Sequence, residues 1–258
     1  MSTVIYPSPI FGPVHSRRLG LSLGVNVCPP DGKICSFDCI YCECGFNADF
    51  RPKQRMPSRE AVRRALEERL LQMRADGRLP DTITFSGNGE PTGHPDFPGI
   101  VEDTLALRGR LCPQAKVSVL TNATHLLRQG VSEALLKVDN ALLKLDTVDP
   151  DYIRLVDRPN AAYDLGAILA RMEQFGSRAI IQTMFLQGAF EGRDVGNTAE
   201  RFVGPWLEAV KRIGPRLVTI YTIDRETPDR DLRKASRETL DGIAARVRSA
   251  GIAVQVSY

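Results

Sequence analysis

The sequence contains no apolar run approaching the roughly 20 residues that a membrane-spanning helix needs, so a membrane partner is not expected. Its start, MSTVIYPSPIFGPVHSRRLG, carries prolines where a secretory leader has an apolar core, and no basic region precedes that core. Export is therefore not expected, and a cytoplasmic location is. Internal repeats, low-complexity tracts and linker-like shifts in composition are missing as well, which argues against repeat arrays and for one domain over residues 1–258. A strong charge imbalance is also lacking: a formal net charge of +3 is too small to mark a nucleic-acid binder by itself. Histidine is scarce, with three in the chain, and neither His94 nor His125 has a partner at metal or nucleophile spacing; both read as structural.

What is present is an alternation of element types. Hydrophobic content of 43% with 25% charged residues is that of a globular protein able to bury a full core. Short β-branched runs recur at 21–27, 82–86, 116–121, 141–146, 179–185, 216–223 and 252–257. Helical stripes lie between them. Val62, Leu66, Leu70 and Met73 follow a Ser58 N-cap, and Leu165, Ile168, Leu169, Met172 and Phe175 end at Gly176. Phe202, Trp206, Leu207, Val210 and Ile213 end at Gly214, with Pro205 expected to kink that helix or mark its true start. Leu240, Ile243, Ala244 and Val247 stop at Gly251, and weaker patterns cover 97–111 and 132–137. Six β/α units and a closing strand predict an α/β protein, a partial (β/α)6 barrel of TIM type with a parallel sheet and outer helices. Loops leaving the carboxyl ends of the strands then build the active site.

Four of the six cysteines fall in ICSFDCIYCECG, Ile34 to Gly45. With no sign of export, clustered thiols point to metal or redox chemistry rather than disulfides. Cys35, Cys39 and Cys42, spaced C-x3-C-x2-C, would form one core stripe on a helix, but Pro29, Pro30 and Gly32 before them and Gly45 after them predict a loop over 28–45. A closed zinc site would recruit Cys28 or Cys44 as fourth ligand, whereas an iron–sulfur cluster on three thiolates leaves one iron open to a cofactor or substrate. Spacing alone leaves both standing. Cys28 and Cys44 read equally as packing residues, auxiliary ligands or redox partners, and Cys112, after a helix, reads as a core thiol.

Other candidate groups sit at strand ends. Gly87-Asn88-Gly89-Glu90 leaves the second strand; its glycines either admit a ligand close to the backbone or simply form a tight turn, and Glu90 or nearby carbonyls would suit an ammonium. Asn122 either caps its strand or hydrogen-bonds a ribose or carboxylate. In ALLKLD, period two puts Lys144 and Asp146 on one face and Leu143 and Leu145 on the other, so the charges point into the barrel, as an internal ion pair or as ligand contacts. Gln182 and Met184 share a face of the next strand, and Tyr221 and Asp224 end the sixth. Between Arg51 and Arg78, nine Lys or Arg face four Asp or Glu, the mark of a solvated helix face or of a patch for an anionic substrate.

Cys35-x3-Cys39-x-Tyr41-Cys42, with an aromatic just before the last cysteine, resembles the signature loop of the radical S-adenosylmethionine (radical SAM) superfamily. FGPVHSRRLGLSLGVN, KICSFDCIYCECG, TFSGNGEPTGHPDF, VLTNAT and YTIDRETP together resemble its iron–sulfur oxidoreductases related to the wyosine-base synthases of tRNA. The resemblance implies a partial (β/α)6 barrel and a 4Fe-4S cluster on Cys35, Cys39 and Cys42, whose open iron chelates S-adenosylmethionine. It implies reductive cleavage of that cofactor to a 5'-deoxyadenosyl radical for hydrogen abstraction, with an electron donor such as flavodoxin or ferredoxin. By the same resemblance Tyr41 lies against the adenine, and Gly87-Asn88-Gly89-Glu90 stands where the superfamily has a Gly-Gly-Glu motif for the methionine ammonium. Asn122, Lys144, Asp146, Gln182 and Tyr221 are the remaining cofactor-side candidates. Residues 1–19 form an N-terminal extension in which Arg17 and Arg18, in HSRRLG, read either as surface residues or, by the resemblance, as a binding pair for a carboxylate or phosphate.

The wyosine-base synthases carry a second cluster on cysteines upstream of the signature loop; only Cys28 lies upstream here, so a second cluster of that kind is not expected. A modified RNA base, a peptide and a small metabolite all stand as substrate classes. The competing class is a zinc-stabilised nucleic-acid-binding module without catalysis, against which stand the βα alternation and the missing second ligand pair.

Overall fold

The computed structural model describes residues 4–16 and 19–258, so Arg17 and Arg18 lie outside the described residues. The chain opens with an antiparallel hairpin, β1 (Ile10–Ser16) on β2 (Gly20–Val25). β1 is absent from the predicted strands because its prolines make it read as irregular. As the edge strand it tolerates Pro13, which falls at a register shift between Phe11 and Val14. Helix α1 (Arg59–Ala75) starts at Ser58, whose Oγ accepts the Ala61 N–H at 3.2 Å, and it buries the predicted stripe of Val62, Leu66, Leu70 and Met73.

There follow β3 (Thr82–Phe85), α2 (Phe97–Leu111), β4 (Lys116–Thr121), α3 (Gln129–Lys137) and β5 (Asn140–Lys144). A single turn, α4 (Pro150–Tyr152), runs into a π-helical turn over Ile153–Asp157. Then come α5 (Leu165–Phe175), β6 (Ala179–Met184), β7 (Leu186–Phe190), β8 (Arg193–Asp194), α6 (Glu200–Ile213), β9 (Leu217–Tyr221), β10 (Leu232–Lys234), α7 (Arg237–Ser249) and β11 (Val254–Ser257). Because α6 begins at Glu200, Pro205 does not mark its start.

Eight strands form one sheet in the order β1-β2-β3-β4-β5-β6-β9-β11, parallel except for β1. β1 and β11 stand at its two edges, so the sheet curls into a half-barrel instead of closing, with the helices outside, as the six β/α units predict. The main core lies between sheet and helices, where side chains such as Leu23, Ile83 and Leu143 meet Leu66, Ile100 and Trp206. Burying each contributes about 1.5–3 kcal/mol. The Trp206 indole N–H also donates to the Leu145 carbonyl at 3.0 Å and to Thr183 Oγ1 at 3.1 Å, pinning α6 to the strands.

A second sheet, β10-β7-β8, is antiparallel and unforeseen in the sequence, where 179–185 reads as one run ending a barrel strand. It covers a smaller core beyond the carboxyl end of β6, made of Ile40, Tyr152, Val156, Met184, Leu186 and Phe190 among others.

Candidate active site

The cysteine loop leaves the carboxyl end of β2, and four sets of contacts shape it. Asn47 works inside the loop: its Oδ1 accepts the Cys35 N–H at 3.2 Å and its amide donates to the carbonyls of Cys35 and Phe37, each at 3.1 Å. Lys33, 3% exposed, spans the two ends, donating from Nζ to the Gly45 carbonyl at 2.5 Å and facing Asp38 at 3.4 Å. From the next loop, the Asn88 carbonyl accepts the Ile34 N–H at 3.0 Å and the Glu90 N–H donates to the Ile34 carbonyl at 3.2 Å. Gly89 sits between them at φ +145°, so close that a Cβ there would collide with the Ile34 carbonyl. That position requires glycine.

The fourth set comes from the π-helical turn. The Asp38 N–H donates to the carbonyls of Asp157 at 2.9 Å and Arg158 at 3.1 Å, the Ile40 N–H to Val156 at 3.0 Å, and the Asn160 N–H to Ser36 at 2.9 Å. Residues 156–160 therefore clamp the backbone of 36–40 like a short strand. Arg158 adopts φ +52° at the end of this turn, a conformation uncommon for a residue with a Cβ.

Among the candidate residues, one buried group forms around Lys144. Its Nζ lies 2.5 Å from both Asp146 Oδ2 and Asp157 Oδ1, and 5.4 Å from the ring centres of Phe37 and Tyr41. The Tyr41 hydroxyl donates to Asp146, and the Cys39 thiol to Asp157 at 3.6 Å. The period-two reading of β5 thus holds, with Leu143 and Leu145 in the main core and both charges inward. Asn122, at the end of β4, donates to Ser36 Oγ at 3.0 Å and toward Cys35 Sγ at 3.6 Å. Gln182, the cross-strand neighbour of Lys144 on β6, donates to the Tyr221 hydroxyl at 3.3 Å.

Glu90 and Asn88 point inward. Glu90 Oε1 accepts from the Thr92 N–H at 3.0 Å, the Thr92 hydroxyl at 2.5 Å and the Thr121 hydroxyl at 2.6 Å, while Oε2 accepts the Asn122 N–H at 2.6 Å. Asn88, fully buried, exchanges hydrogen bonds with the Tyr6 backbone at 2.7 and 2.9 Å and donates to the Pro29 carbonyl at 2.9 Å. Tyr6 in turn joins the cysteine loop through Glu43 at 3.0 Å and the loop after β9 through Arg225 at 2.6 Å.

The electrostatics follow from burial and these partners. Enclosure pushes the Cys35 thiol up to about 12, with the Glu90 charge adding to it. Burial raises Cys39 well above a free thiol, against the pull of Lys144. Cys42 goes the other way, because the Cys44 thiol hydrogen-bonds its sulfur and Lys33 stands nearby, which together outweigh burial. Burial works to lower Lys33, but the thiols of Cys42, Cys35 and Cys39 and the Asp38 carboxylate hold it above its ordinary value. Desolvation pushes Asp157 up to about 6 despite Lys144. Cys28 and Cys44 point their thiols at the carbonyls of Ile34 and Gly87, at 3.7 and 3.5 Å, as loop ties. Cys112 is buried at the end of α2, and His94 bridges the Pro57 carbonyl at 2.9 Å and the Asp96 N–H at 3.0 Å, a structural role.

All six cysteines are free, and three soft sulfur donors stand on one loop with a buried ammonium among them and an amide N–H toward Cys35. That donor set fits an iron–sulfur cluster, whose negative thiolate shell is stabilised by positive charge and N–H donors. Among the described residues, no three His, Cys, Asp or Glu side chains gather around one point as a single metal ion would require.

The radical SAM superfamily profile matches residues 30–202, a span that includes the four clustered cysteines and strands β3 to β8. The chain belongs to the radical SAM superfamily. A UPF0026 protein of Methanocaldococcus jannaschii is 34% identical over 240 residues, covering 91% of this chain and 70% of its own. A Brachyspira hyodysenteriae protein named GTPase Obg is 28% identical over 232 residues, covering 90% of this chain, which spans only 32% of that relative. Among solved structures, a radical SAM methyltransferase from Sphaerobacter thermophilus is similar with a TM-score of 0.67 at 15% identity, over 92% of this chain and 66% of that one. An archaeal TYW1 is similar with a TM-score of 0.53 at 12% identity, over 89% of this chain and 72% of that one. At such identities the likeness is one of fold.

Asp157, Lys33, Asn47 and Arg158 contact the cysteine loop of this candidate site and were missed by sequence reasoning. Asp157 is the last residue of a π-helical turn, which inserts a residue and destroys the period that would have flagged it. Lys33 and Asn47 lie in loop, where no period exists. The basic 51–78 segment proves largely a solvated helix face, with Arg63 beside Glu60 and Glu67 and Arg59 beside Asp103.

Proposed function

We propose that this chain is an S-adenosylmethionine-cleaving enzyme in which Cys35, Cys39 and Cys42 hold a 4Fe-4S cluster. When bound, that cluster supplies the electron that breaks a carbon–sulfur bond of the S-adenosylmethionine sulfonium, so that a 5'-deoxyadenosyl radical can take hydrogen from a substrate. Lys33 balances the charge of the thiolate shell and keeps both ends of the loop together. Lys144 and Asp146 hold the Tyr41 ring in place for stacking on adenine, and Asp157 with residues 156–160 keeps the loop from opening. Gly87, Asn88, Gly89 and Glu90 present their backbone to the methionine end of the cofactor, the Glu90 side chain fixing that loop from behind. Asn122, Gln182 and Tyr221 line the remaining sides as polar contacts. A reducing, cytoplasmic setting with a flavodoxin or ferredoxin as electron donor suits free thiols, and no described helix is long and apolar enough to cross a membrane.

The observation that supports this reading best is the triad C-x3-C-x2-C at the carboxyl end of β2, clamped from two neighbouring loops around a buried lysine. The chain should be reconstituted without oxygen and assayed for iron, sulfide and zinc, then given S-adenosylmethionine and a strong reductant. Iron, sulfide and 5'-deoxyadenosine are expected, and Cys39→Ala should abolish all three. A stoichiometric zinc site without iron or cleavage product would sink the proposal.

A further inference from the structure

Among the described residues, four cations touch the cysteine loop, and they are not equivalent. Lys33 faces Asp38 at 3.4 Å, Lys144 faces Asp146 and Asp157 at 2.5 Å, and Arg225 faces Glu43 at 2.7 Å. Each is neutralised by a carboxylate. Arg158 has no carboxylate partner among the described residues; its guanidinium carbon stands 5.0 Å from the ring centre of Phe46, just after the cysteine loop, and 5.6 Å from that of Phe190, at the end of β7. Stacking on ring faces fixes a guanidinium without using its N–H donors, which stay free for a planar or tetrahedral oxyanion.

Its backbone is as constrained as its side chain. Arg158 ends the π-helical turn at φ +52°, its N–H bonded to the Ile153 carbonyl at 2.9 Å and its own carbonyl to the Asp38 N–H at 3.1 Å. Strained positions and π-helical turns concentrate at functional sites. The neighbouring residue, Asp157, reaches Cys39, so the turn that shapes the cluster side also sets where this cation stands.

We infer that Arg158 is the anchor for a single oxyanion, a carboxylate or phosphate, on a small substrate of this enzyme. The inference rests on the proposed radical SAM site and narrows its substrate class. Charge balance at the surrounding rim selects a small anion over a polyanion. In 186–194 and 222–234 together, five Lys or Arg face six Asp or Glu, so a nucleic-acid backbone meets no net positive field there.

The test uses the full, metal-free chain and the arginine side-chain Nε–H resonances in 15N-resolved spectra, with Arg158 assigned from the signal lost in Arg158→Lys. Acetate and inorganic phosphate are titrated separately, and Arg193 and Arg233, both exposed, serve as internal controls. The Arg158 resonance is expected to half-saturate at about tenfold lower concentration of at least one of the two anions than either control, the better anion naming the group. Arg158 responding no earlier than Arg193 and Arg233 would overturn the inference. So would a single-stranded RNA oligonucleotide that moves all three together where the small anions do not. Because the measurement needs neither cluster nor S-adenosylmethionine, its failure is distinct from a failure to cleave the cofactor.

Discussion

Arg59 and Asp103 join α1 to α2 on the outside of the half-barrel at 2.7 Å, while Lys144, Asp146 and Asp157 join β5 to the π-helical turn inside it at 2.5 Å. The charges and distances are alike; the surroundings are not. The outer side chains are 47% and 19% exposed, the inner ones 10%, 1% and 4%. Water screens the outer pair and supplies alternatives to each partner, so it adds little to folding. Inside, no such alternative exists, and the carboxylates are tolerable only because Lys144 is there. An ion pair of the first kind decorates a helix shell, whereas one of the second kind dictates where Tyr41 and Cys39 stand.

Substitutions can break this comparison. Lys144→Met should have the largest effect, about 3–5 kcal/mol of lost stability by chemical denaturation, because it strands two buried carboxylates. Adding Asp146→Asn and Asp157→Asn to it should recover part of that loss. A cost no greater than for the outer pair would refute the distinction. Glu90→Gln comes next at about 1–3 kcal/mol, since an amide must turn a donor toward one of the four groups that now donate to Glu90.

The pH dependence sharpens the same contrast. Asp157 is raised to about 6, above its unfolded value near 4, so the folded chain binds the extra proton between these values. Stability contributed by Asp157 is therefore full below about pH 4 and lost as pH rises through about 6. Comparing the metal-free chain with Asp157→Asn across that window should show a flatter curve for the variant; identical slopes would contradict the assignment. Smallest of all, Arg59→Met should leave the unfolding midpoint where it was, and any change it makes should vanish in high salt.

Most of the barrel was legible because its signals are local. Ser58 and the stripe from Val62 to Met73 announce α1, and alternation in ALLKLD announces which way Lys144 points. Glu90 was legible as a residue near the site but not in its direction, since four donors from two segments turn it inward. β1 and the β10-β7-β8 sheet were not legible. Pro13 masks the first, and the second consists of short strands joined across the sequence, with Leu232 opposite Gly188.

By itself the sequence determined the order of strands and helices, the cysteine spacing and the inward face of β5, because each depends on residues within a few positions of one another. Only the tertiary structure decided that Tyr41 meets Asp146, that Cys39 meets Asp157 across 118 positions of chain, and that Arg158 is left without a carboxylate among the described residues. Those pairings arise where loops from different strands converge, and burial there makes the presence or absence of one partner count for far more than it does in water.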